Sequence, residues 1–263
     1  MKNIFIVSVN SDIASHIVKN YKKKNWNIYG TYKTSESKLS KILNKKNFIK
    51  IDLNRKKFNE KKFKEFIKKL PSIDIFTCLS QTQKPFGKFY EIDFNEWENS
   101  FFVNFLNPVK IFNLIYKKMS FKSCVIFFTG GGPNKATKNF SGYALSKFLY
   151  IKFSELLAAE DKKINFACIN PGWVKTKAHD IFLKQTYLKN TEDYKKLKKK
   201  IKEQDFVNPQ LTVNFFNWFY KKKNSKLSGR YYVLDFDNFS DIKFEKRLAK
   251  NNDVLKMRRK ELK

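Results

Sequence analysis

Short runs of apolar, β-branched and aromatic residues alternate along this chain with longer stretches in which apolar positions recur every three or four residues. The first kind predicts strands over 3–9 (NIFIVSV), 27–32 (NIYGTY), 48–53 (FIKIDL), 73–80 (IDIFTCLS), 123–129 (SCVIFFT), 165–170 (NFACIN) and 230–236 (RYYVLDF). The second predicts helices over 12–24, 36–44, 56–69, 94–118, 141–160, 178–203 and 209–222. Strands and helices in turn argue for βαβ units. The expected fold class is α/β, a doubly wound, mostly parallel sheet of about seven strands with helices on both faces. No repeat or linker divides the chain, which reads as one domain over 1–263 with a basic tail at 240–263. Such a sheet binds ligands outside the carboxyl ends of its strands, so functional residues are expected just after strand ends.

Composition sharpens this in several places. Hydrophobic residues make up 42% of the chain and charged residues 30%, enough for a sizeable core. No run of eighteen apolar residues occurs, so no membrane helix is expected. The opening MKNIFIVSVNSDIA passes from one lysine into a short β-rich run, without the apolar length or cleavage site of a signal peptide, so a cytoplasmic protein is expected. Cys78, Cys124 and Cys168 are widely spaced within apolar runs, and only two histidines accompany them. Buried thiols are expected, not a zinc site or a disulfide framework. The formal net charge of +31 raises a nucleic-acid role. The lysines, however, are spread along the whole chain. The densest run, YKKLKKKIKE at 194–203, alternates with apolar residues like a solvated helix face, and no nucleic-acid motif is present, so that role is not expected.

Candidate chemistry follows the strand ends. After the first strand, VSVNSDIASHI (7–17) has Ser8, Asp12 and Ala14 where dinucleotide folds place glycines, while Asn10 and Ser11 can donate hydrogen bonds or cap the helix. A strand-to-helix turn without a ligand fits these residues equally well. After the second strand, Lys33, Thr34 and Ser35 suit a ribose 2′-phosphate better than an acidic residue would. A solvated lysine is an equal reading. Asp52 either accepts a bond from an adenine amine or caps a turn. Asn104 lies mid-helix among apolar neighbours and must point inward to partners. The fifth strand ends in FFTGGGPN (127–134), with the Thr129 hydroxyl followed by glycines that permit close approach. Tyr143 and Lys147 in FSGYALSKFLY (140–150) are one helical turn apart and share a face. NPGWVKTKAH (170–179) turns at Pro171–Gly172 and presents Thr176.

YALSK at 143–147, the hydroxyl of Thr129 fourteen positions earlier, VNFLNP around Asn104, and PGWVKT at 171–176 together resemble the short-chain dehydrogenase/reductase family, in family order over nearly the whole chain. The resemblance implies a Rossmann-type fold and an oxidoreductase that interconverts a carbonyl and an alcohol, with NADP(H) preferred and NAD(H) as the other cofactor. It implies that Tyr143 is the general acid or base, its phenol drawn towards working pH by Lys147 and the oxidised nicotinamide. Lys147 also bonds the nicotinamide ribose, Asn104 holds a relay water, and Thr129 stands in for the usual serine. Cofactor contacts are implied for Ser8, Asn10, Ser11, Asp12 and Ile13, for Lys33, Asp52, Leu53 and Ser80, and for Pro171, Gly172, Val174 and Thr176. A substrate lid is expected at 177–206, containing His179, Phe182 and Tyr187. A small-molecule carbonyl or alcohol partner and a homodimer or homotetramer are implied as well. The alternative is a non-catalytic relative that binds a nucleotide or protein through the same cleft. The family's Gly-x-x-x-Gly-x-Gly is Ser8, Asp12 and Ala14 here, and its Asn-Asn-Ala-Gly is Cys78, Leu79, Ser80 and Gln81. Proton chemistry is therefore better preserved than the cofactor loop.

Overall fold

A computed structural model describes residues 1–34, 44–54, 57–130 and 136–259. The expected helix at 36–44 apart from its last residue, Ser35, the second and third glycines of FFTGGG, and the last residues of the basic tail lie outside the described residues. Seven parallel strands form one sheet: β1 (Asn3–Val7), β2 (Asn27–Tyr32), β3 (Phe48–Lys50), β4 (Ile73–Cys78), β5 (Met119–Phe128), β6 (Asn165–Asn170) and β7 (Arg230–Val233). Their order is β3-β2-β1-β4-β5-β6-β7, so the winding reverses between β1 and β4, the position where sheets of this class open a crevice.

The continuous apolar runs make these strands buried on both faces. Alternation then sorts the side chains. Ile4 and Ile6 of β1, with Ile126 and Phe128 of β5, join a core that includes Val213 and Phe216 of the helix Gln210–Lys222. Phe5 and Val7, with Val125 and Phe127, join the opposite core, which holds Phe112, Tyr150 and Ile151. All three cysteines are buried, free thiols.

The helices are α1 (Asp12–Lys23), α2 (Glu60–Lys68), α3 (Phe94–Phe101), α4 (Asn107–Ile115), α5 (Ser141–Glu160), α6 (Lys177–Leu183), α7 (Glu192–Glu203), α8 (Gln210–Lys222) and α9 (Ile242–Lys250). Two expected helices are corrected. The 94–118 segment is interrupted by a π-helical turn at Phe102–Leu106. The 178–203 segment is two helices separated by a short turn, because the Thr191 hydroxyl accepts from Tyr194 N (3.3 Å) and starts α7 afresh. The basic tail contains α9, capped by Asp241, and the segment after it returns to β7. No helix among the described residues is long and apolar enough to cross a membrane.

Candidate active site

One wall of the crevice is built outward from Pro108. Proline has no N–H to donate to a preceding turn. Asn107 N instead reaches back five residues to Phe102 O, and the Val103 carbonyl has no helical donor. Ser80 Oγ donates to that carbonyl (2.9 Å), and the Ser80 carbonyl in turn accepts from Lys147 Nζ (2.7 Å). Asn104, in the same π-helical turn, is fully buried. Its Oδ1 accepts from Thr82 N (2.6 Å), and its Nδ2 donates to Thr82 O and to Ser146 Oγ (both 2.9 Å). Both amide hydrogens are thus committed to protein. The inward asparagine expected from the sequence is a clamp on the loop after β4, and its side chain has no hydrogen left to give a water.

Tyr143 and Lys147 lie on the first turns of α5. Lys147 is 3% exposed, and burial lowers the pKa of its ammonium. Burial pushes the Tyr143 phenol up to about 12, the opposite direction from that expected for the cofactor-bound state. The lysine's charge is directed at the Ser80 carbonyl, so desolvation dominates at the phenol. Facing the Tyr143 hydroxyl is Gly130. A Cβ at that position would overlap the hydroxyl and lie 2.8 Å from Cζ, so only glycine allows this approach. Thr129, one residue earlier, is buried and borders the crevice, and its hydroxyl has no hydrogen-bond partner among the described residues. Position 130 thus faces the phenol, and Thr129 borders the same crevice.

The loop after β1 reaches its shape without glycine. Ser8 adopts φ 63°, the left-handed region that glycine enters freely. Ser11 caps α1 by accepting from Ala14 N (3.2 Å), and Ala14 is buried in the core. The Asp12 carboxylate crosses to the first residue of α6 and accepts from Lys177 N (2.7 Å). Asn10 Nδ2 reaches Thr34 O (3.3 Å). Asp52 accepts from Asn54 N (3.0 Å), the turn-capping reading, and also pairs with exposed Lys33 at 3.5 Å. Leu53 packs in the core, and its carbonyl receives Asn107 Nδ2 (2.8 Å).

These elements enclose a cleft of about 540 Å³. Asn10, Ser11, Asp12 and Ile13 line it together with Thr129, Tyr143 and Lys147. Pro171, Gly172, Val174 and Thr176 form the adjoining wall, with Gly172 in the left-handed region at φ 74°. Ser8, Lys33, Asp52, Leu53, Ser80 and Asn104 do not line it, although Ser80 and Asn104 hold residues that do. Sequence reasoning missed Gln83 and Thr137, which border the same cleft. The Gln83 side-chain oxygen is buried without a hydrogen-bond partner among the described residues. The polar run LSQTQK after β4 was the available signal for Gln83. The far side is the small core of the 177–206 segment, where Phe182 packs on Phe86 and Phe140 at centroid distances of 6.2 and 5.3 Å.

The sequence model of a family described as enoyl-(acyl carrier protein) reductase matches residues 7–235. No curated protein sequence matches the chain significantly. Solved structures share the fold. A short-chain dehydrogenase/reductase from Saccharomyces cerevisiae superposes with TM-score 0.79 at 18% identity, over 92% of this chain and 99% of the other. The ligand-free aldohexose dehydrogenase of Thermoplasma acidophilum gives 0.70 at 17%, over 88% and 91%. A short-chain dehydrogenase of Escherichia coli CFT073 complexed with NADPH gives 0.69 at 16%, over 89% and 96%. A parallel sheet reversing between β1 and β4, a family match over most of the chain and these superpositions lead to one assignment. The chain belongs to the short-chain dehydrogenase/reductase family of NAD(P)-dependent oxidoreductases.

Proposed function

We propose that this protein interconverts a small carbonyl compound and its alcohol with NADP(H), and that Tyr143 moves the proton. The observation that carries the reading is the cleft itself. It brings a phenol, an ammonium one turn further on and the first turn of α1 to one cavity. The amides of Asp12 and Ile13, in the first turn of α1, have no acceptor among the described residues and border the cleft, as a pyrophosphate requires. Thr176, Val174 and Gly172 line the part nearer Tyr143 and would hold the carboxamide end. Lys33 would meet a 2′-phosphate, in competition with Asp52. Bound there, the nicotinamide supplies or accepts the hydride.

The protein's own groups handle the rest. With its pKa pushed up to about 12, Tyr143 is a neutral phenol near pH 7 and can donate its proton to the oxygen of a bound carbonyl. The phenolate left behind is stabilised by the Lys147 ammonium. One of its hydrogens is held by Ser80 O, and two remain for the phenolate or ribose hydroxyls. Thr129 supplies a hydroxyl to the substrate oxygen, and the side chains of 177–206 exclude water as a lid. An apolar stripe on α5, with Leu145, Leu149 and Leu156 exposed at 51%, 40% and 49%, supports a homodimer or homotetramer packed through this helix.

Titration of the purified protein with NADPH and with NADH, followed by nicotinamide fluorescence, tests the reading. NADPH is expected to bind at least about tenfold more tightly than NADH, and Lys33→Ala should narrow that ratio. Absence of binding by both at millimolar concentration would remove the proposal.

A further inference from the structure

The Asp12 carboxylate lies in the loop assigned above to the cofactor, yet its hydrogen bond goes elsewhere. It accepts from Lys177 N at 2.7 Å, across 165 positions of sequence. Lys177 is the first residue of α6, whose opening amides lack helical acceptors. A carboxylate there also meets the positive end of the helix. Among the described residues this is the one hydrogen bond between the 8–14 loop and the 177–206 segment.

The remaining contacts of that segment lie on the substrate side. Phe182 packs on Phe86 and Phe140, and Phe140 immediately precedes α5 with Tyr143. Thr176 N donates to His179 Nδ1 (3.3 Å), and the His179 ring stacks on Trp173 at 5.7 Å and 11°. Trp173 O accepts from Val207 N (3.0 Å), which fixes the far end of the segment. The lid thus has an apolar foot beside Tyr143, a fixed return, and a single polar tie to the first turn of α1. Asp12 shares that first turn with the free amides of Asp12 and Ile13.

We infer that Asp12 is a positioning residue that couples the cofactor loop to the substrate lid, so that occupancy of one orders the other. The coupling rests on the cofactor reading proposed above, but the tie itself does not. The carboxylate has a consequence for that reading. A negative charge in this turn opposes a phosphate beside it, so the link that orders the lid also weakens cofactor affinity.

Hydrogen exchange of the full-length protein, with and without NADPH, tests the inference. Three variants are compared. Asp12→Ala removes the acceptor. Lys177→Pro removes the donor at a first helical position, where proline is well tolerated, and Thr176 before it is already extended (φ −143°, ψ 160°). Asp12→Asn keeps an oxygen for the bond and deletes the charge. Without cofactor, D12A and K177P should exchange at least about tenfold faster over 178–183 than wild type. D12N should stay within about twofold of wild type, and α5 should be unchanged in all variants. NADPH should add protection at 178–183 in wild type and D12N, but not in D12A or K177P. D12N should bind NADPH several-fold more tightly than wild type.

Wild-type exchange over 178–183 in both D12A and K177P would overturn the inference. So would NADPH-induced protection that persists in both. Faster exchange throughout the molecule, with no difference confined to the lid, would reduce the contact to general stability and overturn it equally. If NADPH binds none of the four proteins, the cofactor reading and the coupling drawn from it fall together. The cofactor-free comparison still decides whether Asp12 holds the lid.

Discussion

The two sides of the cleft solve their problems differently. On the Tyr143 side, the arrangement rests mainly on particular side chains: the phenol, the Lys147 ammonium, and the Asn104 amide bonded at three points. On the 8–14 side, what matters is where the backbone goes, and a backbone path has more than one solution. Ser8 takes the left-handed turn at a cost of about 1–2 kcal/mol, and Ala14 fits the core with its one extra carbon. Chemistry constrains residue identity, whereas shape constrains only dihedral angles. A glycine motif can therefore disappear while the backbone path it allowed remains.

Substitutions can break or sharpen this contrast. The largest effect is expected for Tyr143→Phe. Turnover over a panel of aldehydes and ketones should fall about a thousandfold, with NADPH affinity changed by less than about twofold. The wild-type pH profile should agree. Because burial raises the phenol, its proton is present throughout the neutral range, so carbonyl reduction stays level there. Alcohol oxidation, which needs the phenolate, climbs as pH rises. A reduction rate that declines through neutral pH in wild type but not in Y143F would contradict the assignment.

Asn104→Ala comes next, with a loss of about 3 kcal/mol in urea unfolding, from three hydrogen bonds and the polar groups they leave unpaired. Gly130→Ala should displace the phenol and lower turnover about tenfold or more while the melting temperature barely changes. Full activity in G130A would show that Tyr143 tolerates movement, and would weaken the contrast. The smallest effect belongs to the other side. Ser8→Gly should raise stability by about 0.5–1 kcal/mol, seen as a higher urea midpoint, without weakening NADPH binding. A destabilised S8G would mean the serine side chain itself is needed there.

Much of the fold was legible because burial and periodicity agree. β2, β6 and α5 fall on the expected residues, since each is bounded by clear turn residues and has one unambiguous period. The break at 184–191 was missed because lysine-rich amphipathic spacing continues across it, and a threonine cap is a weak mark inside such a pattern. In the site, the spacing of Tyr143 and Lys147 pointed to chemistry only in combination with Thr129, Asn104 and Pro171–Gly172 in order along the chain, and the structure places both on the cleft. The close approach of Gly130 to the phenol was not legible, because the sequence does not say which glycine after β5 meets which side chain. The reach of Asp12 to Lys177 was not legible either, since nothing local to either residue signals the other.

Arg230 of β7 is almost completely buried, with no carboxylate ion-pair partner among the described residues. Its guanidinium donates to the carbonyls of Lys226, Leu248, Asn251 and Val254, gathering the end of α9 and the loop beyond it. The chain this draws in lies along the last strand: Tyr231 N donates to Leu255 O (2.8 Å), and Val233 N donates to Asp237 Oδ2 (2.7 Å). The sheet is therefore terminated from within. The donors another strand would seek at Tyr231 and Val233 are already occupied, so the protein carries its own guard against edge-to-edge polymerisation at this border.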